Sequence, residues 1–347
     1  MKNLYHFIAI AAFTFWAQMA CAQDVHFSQN FATPIFINPA MNGIMNGDVR
    51  VNVAYRNQWS SLLSNRPFRT LFASGDMAFS GFRDADRLAG GLMVYNDRGG
   101  IVGINTTYIS AAAAYNVALS DMAYISLGMT GGVMQKHIDL NEAQFGSQYD
   151  GDAYNPDLGT GEDFSQINIW RPSVGAGALF YYMPTRRSSV FMGMGMYHLL
   201  RSDYAFTDQT RDLQKGKISA QVGGSFAMGE QWDIVPSIYY IKQQQHYKLD
   251  AGTFVRYIFT RDRRSGLEKA FNIGTWTRLT GGEAGGVVAI IPAAKLDYEN
   301  ISVGISYDLT TGTLNSANGG SGGVELTVSY VAKTRENRKK FTACPRF

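Results

Sequence analysis

The sequence has too little charge for a typical soluble protein and too few long apolar runs for a helical membrane protein. Only 17% of its 347 residues are charged, whereas soluble domains average about 25%. After position 22 no apolar run approaches the ~20 residues that a membrane-spanning helix needs. The best run, 285–294, is short and contains Pro292. A β-barrel is the other structure that satisfies every backbone hydrogen bond in lipid, so these shortages favour a barrel.

Cysteine is almost absent. The two cysteines are Cys21 and Cys344, and the first lies in a segment with a basic start, an apolar stretch at 7–16 and small residues up to Ala22. This pattern predicts a secretory signal peptide that is cleaved after Ala22. A lipoprotein anchor at Cys21 is the alternative, but Gln18 occupies a position that normally carries an aliphatic side chain. Cleavage would leave Cys344 alone, so the mature chain is predicted to form no intrachain disulfide and no multi-cysteine metal site.

The patterns that mark catalysis or nucleic-acid binding are missing as well. The five histidines are scattered, no HExxH motif occurs, and no Ser-His-acid arrangement can be singled out. Glycine pairs such as Gly131-Gly132 lack the strand-loop-helix context of a phosphate-binding loop. No basic footprint typical of nucleic-acid binding is recognisable. The chain is therefore predicted not to be an enzyme, to need no cofactor and to bind no nucleic acid.

The two-residue periodicity of β-strands is abundant. At the first such stretch, Val49 and Val51 alternate with Arg50 and Asn52, which predicts a strand between an apolar and a polar environment. Similar stretches recur about fourteen times, up to 323–332, and most are near the ~10 residues that cross a bilayer at a tilt. The predicted fold is all-β, a transmembrane antiparallel outer-membrane β-barrel of about fourteen strands, with about twelve or about sixteen as alternatives.

The predicted barrel leaves an extension at each end of the chain. The signal peptide, N-terminal arm, barrel and basic tail are predicted at 1–22, 23–47, 48–332 and 333–347. The connections alternate between tight turns, such as 119–122, and long loops, such as 136–171. Outer-membrane barrels have short periplasmic turns and longer outer loops, so the tight side is predicted to be periplasmic, together with both termini.

The arm and the tail have opposite characters. The arm contains Phe27, Phe31 and the run 35–37, whose apolar side chains need burial, so the arm is predicted to be a plug, a periplasmic handle or a cap over the lower rim. The tail is basic and is either a solvated terminus or a docking peptide for an acidic partner surface. Its candidate partner-binding residues are Lys333, Arg335, Arg338, Lys339, Lys340, Phe341, Arg346 and Phe347.

Two short motifs near the start of the mature chain distinguish it from a generic barrel. They consist of Asn38, Pro39, Ala40 and Gly43, and of Tyr55, Arg56, Gln58 and Trp59. With these motifs and the basic tail, the mature chain resembles the PorP/SprF family of Bacteroidota outer-membrane proteins. Met41 departs mildly from the family, in which an aromatic residue is expected more often. The resemblance implies a role in the type IX secretion system and, in gliding species, in export and surface display of large adhesins, and it implies no catalytic residue.

Three further sets of residues have competing interpretations. Asp150, Asp152 and Asp157 form either a solvated acidic outer loop or a calcium or partner contact. Calcium is the weaker candidate, because the loop lacks the twelve-residue spacing and the closing Glu of a helix-loop-helix site. Arg50 and Arg56 are expected to face the lumen and to pair with carboxylates there, or else to form a selective constriction. The aromatic residues expected at the membrane interfaces are Trp59, Trp170, Trp276, Tyr95, Tyr197 and Tyr307.

The function that the family resemblance implies is that of an outer-membrane accessory component of the type IX secretion system. Its expected partners are the lipid bilayer, the periplasmic ring or translocon of that system, and the C-terminal region of a secreted adhesin. The alternative is an autonomous porin or small-solute transporter with an open lumen. The terminal extensions favour the first hypothesis, because a passive pore does not require them.

Overall fold

A computed structural model describes most of the chain. The described residues are 25–60, 67–83, 85–99, 103–140, 144–151, 153–161, 165–185, 187–207, 211–261, 268–281, 286–311, 315 and 319–332. The predicted signal peptide at 1–22 and the predicted basic tail at 333–347 lie outside this part of the chain.

Fourteen antiparallel strands form a closed barrel. They are β1 Val49–Gln58, β2 Phe68–Ser80, β3 Arg87–Gly99, β4 Ile104–Ala118, β5 Ala123–Ile138, β6 Asn168–Tyr182, β7 Ser189–Tyr197, β8 Lys217–Ala227, β9 Trp232–Gln243, β10 His246–Arg261, β11 Glu268–Thr280, β12 Gly286–Tyr298, β13 Ile301–Thr310 and β14 Ser321–Ala332. Each strand pairs with the next along the chain, and β14 pairs with β1. The predicted fold class and strand count are confirmed.

The barrel closes through a continuous register between its first and last strands. Val49 lies opposite Ala332, and Arg56 lies opposite Glu325. Closure gives every strand two neighbours, so no strand edge is left unpaired. The amphipathic last strand, recognised from its alternating sequence, is therefore the strand that completes the sheet.

The two rims of the barrel have different connections. We call the rim where β1 begins and β14 ends the lower rim, and the opposite one the upper rim. Lower-rim turns such as 119–122 and 299–300 are short, whereas the upper-rim loops 139–167 and 198–216 are long. The predicted tight lower-rim turns and long upper-rim loops are present, although β3–β4 and β11–β12 are joined at the upper rim by only four and five residues. The upper rim also has a two-residue turn at 244–245, between β9 and β10.

One lower-rim turn, between β2 and β3, is closed by a carboxylate. Arg83 donates hydrogen bonds of 2.8 and 2.9 Å to Asp86, and the Ala118 amide and the Tyr115 hydroxyl donate to the same carboxylate at 3.0 and 2.8 Å. These donors, Arg83 foremost, outweigh the effect of burial and lower the pKa of Asp86 to about 2. The turn presents Phe82, whose side chain is almost fully exposed.

The strands alternate between an apolar outer face and a largely polar inner face. On β1, Val51 and Val53 point outward and are exposed, while Arg50, Asn52 and Arg56 point into the lumen and are buried. This is the arrangement expected for strands between lipid and an enclosed interior. Both arginines are paired with lumen carboxylates, as predicted.

The prediction of an interfacial aromatic belt is wrong for three residues. Trp276, Tyr95 and Tyr197 are each at most 3% exposed and point into the lumen. The physical reason is the two-residue period of a β-strand, in which residues i and i+2 point to the same face. Each of the three residues is an even number of positions from inward-facing residues of its strand. Trp170 and Tyr307 do point outward and are exposed.

Candidate functional site

The segment that precedes β1 lies inside the barrel. This arm, residues 25–47, starts in the upper half of the lumen, where the Lys248 ammonium donates to the Phe27 carbonyl at 2.9 Å. It then passes β7 and β8 and descends along β5 to the lower rim, where Ser126 on β5 donates to the Ala40 carbonyl at 2.6 Å. Of the three positions considered for the arm, the described residues occupy that of a plug.

Short helical turns fold the arm compactly. They are a 3-10 turn at Asn30–Ala32, a single α-helical turn, α1, at Pro34–Ile37 and a 3-10 turn at Pro39–Met41. Proline suits the first position of both later turns, because its missing N–H would have no partner there. Among the described residues no helix is long and apolar enough to cross a membrane.

Aromatic contacts fix the upper part of the arm. The Phe27 ring meets the rings of Phe36 and Phe72 edge to face, with centroids 5.1 and 5.4 Å apart. Phe36 also packs edge to face on Tyr95, and the Lys217 ammonium lies 3.8 Å from the centroid of Phe36. Edge-to-face pairs contribute about 0.5–1.5 kcal/mol each beyond the area they bury. These contacts join the arm to β2 and β3 and to β8 on the far side.

The Asn38-Pro39-Ala40 motif forms a tight turn against the wall. The Asn38 side-chain oxygen accepts from the Ala40 amide at 2.9 Å, and its amide group donates to the Ala178 carbonyl of β6 at 3.0 Å. Asparagine supplies both an acceptor and a donor here, which a carboxylate or an alkyl side chain cannot do. The motif therefore closes its own turn and binds the barrel with one side chain.

Glycines of the wall leave the space that this turn occupies. A Cβ atom on Gly177 would lie 2.0 Å from the Asn38 side-chain oxygen, and one on Gly128 would lie 2.5 Å from the Ala40 amide nitrogen. A Cβ on Gly195 would lie 2.8 Å from an arm carbonyl. The motif and the glycines of β5, β6 and β7 thus form one steric unit.

An ion-pair network in the upper half of the lumen holds the beginning of the arm. Arg56 donates to Asp308 at 2.6 Å and to Glu325 at 3.1 Å. Glu325 accepts from the backbone amides of Ser28 and Gln29 at 2.7 and 2.8 Å. One carboxylate therefore neutralises a motif arginine and binds two successive amides of the arm.

The same network extends to β10 and β11. Arg278 donates to Asp250 at 2.9 Å, to Asp308 at 2.6 Å and to the Ser28 hydroxyl at 2.8 Å. Asp250 also pairs with Lys248 at 2.9 Å and accepts from the Asn30 side-chain amide at 2.9 Å. Removing one partner from such a buried set typically costs about 3–5 kcal/mol, because the remaining charge is left without compensation.

A second ion pair clasps the end of the arm near the lower rim. Arg50 donates to both oxygens of Asp76 at 2.9 and 2.8 Å, and to the carbonyls of Met41 and Ile44 at 3.0 Å each. Asp76 also accepts from the Gly43 amide at 2.7 Å. Gly43 has φ +74, and a Cβ there would lie 2.3 Å from a wall side chain, so this position favours glycine.

The second motif has three separate roles. Tyr55 points outward, whereas Arg56 belongs to the buried network. Gln58 accepts a long 3.4 Å hydrogen bond from Arg56. Trp59 directly follows β1 with φ 58, donates its amide to the Gly322 carbonyl at 2.9 Å and packs edge to face on Phe68. The motif thus combines a lumen anchor with the closure of the upper end of β1.

The acidic outer loop is only partly described. Asp150 is exposed, and its carboxylate accepts from the Ala153 amide at 3.1 Å. Asp157 is exposed too, while Asp152 lies outside the described residues. Within the described part of the chain, no group of three acidic, histidine or cysteine side chains could hold a metal ion. The calcium hypothesis for Asp150, Asp152 and Asp157 therefore stays a prediction.

Sequence reasoning did not identify the partners of the two lumen arginines. Asp76, Asp308 and Glu325 each have inward parity on a predicted strand, so alternation could have marked them as lumen residues. The pairing between distant strands could not have been read from local patterns.

Comparison with solved structures supports the fold. The barrel is similar to a Pseudomonas aeruginosa FadL homologue, at 11% identity and a TM-score of 0.52, over 86% of this chain and 94% of that one. It is also similar to the Ralstonia pickettii toluene transporter TbuX, at 8% identity and a TM-score of 0.48, over 86% of this chain and 92% of that one. The first likeness shows an outer-membrane barrel fold. No curated protein sequence matches the chain significantly.

Membership of a family follows from the sequence as a whole. The model of a family described as type IX secretion system membrane protein PorP/SprF matches residues 20–330, which include the arm and nearly all of the barrel. The chain therefore belongs to the PorP/SprF family of type IX secretion system membrane proteins.

Proposed function

We propose that this outer-membrane barrel receives or anchors exported surface proteins, such as gliding adhesins, for the type IX secretion system. The observation that carries the proposal is the arm, because residues 25–47 occupy the lumen and are bound there by Glu325 and Arg50. A barrel whose lumen holds a segment of its own chain is suited to assembly and anchoring. Family membership supports the same role.

The alternative is an autonomous porin or small-solute transporter. A cavity beside β9–β13 in the lower half of the lumen is the observation that favours it. The upper half of the lumen argues against a pore, because Arg56 and Arg278 there donate hydrogen bonds directly to the arm. A passive diffusion pore needs a continuous aqueous path. The direct hydrogen bonds from Arg56 and Arg278 to the arm leave no aqueous path between these side chains and the arm.

The lower rim is the side that we propose faces the periplasm. Outer-membrane barrels carry their short turns on that side. The tail at 333–347 follows Ala332 of β14 at this rim, whereas the described arm begins in the upper half of the lumen. Contact with the periplasmic ring or translocon is therefore assigned to the tail, with Arg and Lys side chains meeting an acidic partner surface.

Deletion of residues 333–347 in the native host tests this assignment. The truncated barrel is expected to fold, because β14 already ends at Ala332, but to lose association with secretion components and to impair export. Co-purification from gently solubilised outer membranes measures association, and the amount of adhesin on the cell surface measures export.

A charge-conserving control separates docking from simple loss of chain length. The combined substitutions Lys333→Arg, Arg335→Lys and Lys340→Arg keep the charge of the tail, and export should then persist. Replacing the same three residues by Gln should impair export. Unchanged export after deletion of the tail would remove the docking role, and a free barrel with steady ion conductance would favour the porin.

A further inference from the structure

The arm leaves part of the lumen unfilled. A cavity of about 170 Å³ lies in the lower half of the lumen, below Phe31 of the arm and above Asn300 and Val331 at the lower rim. An engineered apolar cavity of about 150 Å³ is large enough to bind benzene. The unfilled space is therefore large enough for one six-membered ring.

The upper end of this cavity is aromatic. The Phe31, Phe254 and Trp276 rings lie with centroids 4.6 to 6.0 Å apart, and two of the three pairs meet edge to face. The Trp276 indole nitrogen donates to the Ser237 hydroxyl at 3.1 Å, so its polar atom is already satisfied. Such a cluster offers an additional ring the edge-to-face geometry that aromatic pairs prefer.

The charged groups around the cavity compensate each other. Arg256 donates to Glu268 at 2.9 Å, and the Lys295 ammonium lies 3.5 Å from Asp297. The cavity also adjoins Arg50, which is paired with Asp76, and Glu299, which pairs with Lys269 at 3.4 Å. Beside the aromatic cluster, a charged occupant would have to break the Arg256–Glu268 or the Lys295–Asp297 pair or remain uncompensated, and both are costly because these pairs are largely buried. The lining therefore favours a neutral occupant.

We propose that this cavity binds one neutral aromatic ring against the cluster formed by Phe31, Phe254 and Trp276. Phe31 belongs to the arm, whereas the other two residues belong to the wall, so the site is complete only while the arm is in place. Two sources could supply such a ring, a free phenol-like solute or a tyrosine or phenylalanine side chain of a peptide that enters from the lower rim. The site does not depend on the secretion role proposed above.

The test is a 19F NMR titration of 4-fluorophenol against the detergent-solubilised full-length protein. Saturable binding is expected for the wild type. Phe31→Ala should weaken it by about fivefold, in line with the loss of one or two aromatic pairs. Val235→Phe should abolish it, because residue 235 packs against the aromatic cluster and a larger side chain fills the cavity.

Ile273→Ala is the matched control, because Ile273 lies on β11 three residues before Trp276 but points outward, and the substitution should leave the affinity unchanged. Heat-dependent migration on gels checks that every variant is folded. Linear partitioning into the micelle without saturation, or equal saturable binding by the wild type and both lumen variants, would overturn the proposal.

A competition experiment then assigns the source of the ring. A blocked Gly-Tyr-Gly peptide is added to the 4-fluorophenol complex, with blocked Gly-Ala-Gly as its control. Displacement by the tyrosine peptide alone supports a peptide side chain as the occupant. Retention of 4-fluorophenol against both peptides supports a free aromatic solute at the same site.

Discussion

Arg56 on β1 and Asp308 on β13 are joined inside the barrel by a 2.6 Å hydrogen bond, although they lie 252 positions apart in the chain. The strand between them, β14, contributes Glu325, which binds Arg56 and two amides of the arm. A motif residue of the first strand thus connects the closure of the barrel to the seating of the arm. Barrel closure and arm docking are therefore expected to be energetically coupled.

Asp308→Ala should destabilise the folded barrel by about 3–5 kcal/mol, because Arg56 and Arg278 would each lose a buried partner. The free energy of unfolding in urea, followed by tryptophan fluorescence, measures the effect. Ser306→Ala is the control on the same strand and the same face. Its hydroxyl is buried and makes no hydrogen bond within the described residues, so its removal should change stability little. Equal effects of the two substitutions would contradict the importance of the network.

Gly177→Ala should displace the Asn38-Pro39-Ala40 turn, because the new Cβ would lie 2.0 Å from the Asn38 side-chain oxygen. Overpacking of this kind costs about 1–3 kcal/mol. Urea unfolding measures the loss, and limited proteolysis detects release of the arm. Gly131→Ala on the neighbouring strand has nothing within 4 Å of its new Cβ, and it should behave like the wild type.

Asp76→Ala should loosen the lower end of the arm, because it removes the partner of Arg50 and the acceptor of the Gly43 amide. The measurement is thiol labelling of Ile44→Cys in a chain in which Cys344 is replaced by Ser. Ile44 is buried, so labelling should be slow in this background and at least tenfold faster after Asp76→Ala. Asp121→Asn in an exposed lower-rim turn should not accelerate it, and slow labelling in all three chains would argue against the clasp.

The turn between β2 and β3 should weaken in acid. The pKa of Asp86 is lowered from 3.8 to about 2 in the folded protein. The stability that its charged carboxylate contributes to the folded turn is therefore fully present above the unfolded-state pKa. It should be lost as the pH falls from ~4 toward ~2, because the carboxyl then becomes protonated. Hydrogen exchange of the Ala118 amide, which donates to Asp86, should lose protection in this window. The same amide in Asp86→Asn should show no such pH-dependent loss.

Much of the barrel could be predicted from the sequence, because alternation is a local property. On β1 and β14 the inward and outward residues follow directly from a period of two. The same rule explains why the interfacial position predicted for Trp276 is wrong, because Trp276 lies two residues before the buried Arg278 and points to the same face of β11. The two-residue period of the strand therefore predicts the orientation of Trp276 better than its residue type does.

The arrangement of the arm could not be predicted in the same way. Its apolar residues indicated burial, but the contact of Asn38 with the space left by Gly177 joins residues from distant parts of the chain. Likewise, the Tyr197 hydroxyl donates to the Ile35 carbonyl, and no local sequence pattern predicts this hydrogen bond. Such contacts follow from how the arm packs in three dimensions, which periodicity does not encode.

The conductance of the purified full-length protein in a planar lipid bilayer tests the central claim most directly, namely that the arm closes the lumen. The wild type should show no steady conductance, whereas deletion of residues 25–47 should open a stable pore because the wall of fourteen strands remains. The double substitution Arg56→Gln and Glu325→Gln, which releases the beginning of the arm, should give intermittent openings. Steady conductance by the wild type, equal to that of the deletion variant, would contradict the account.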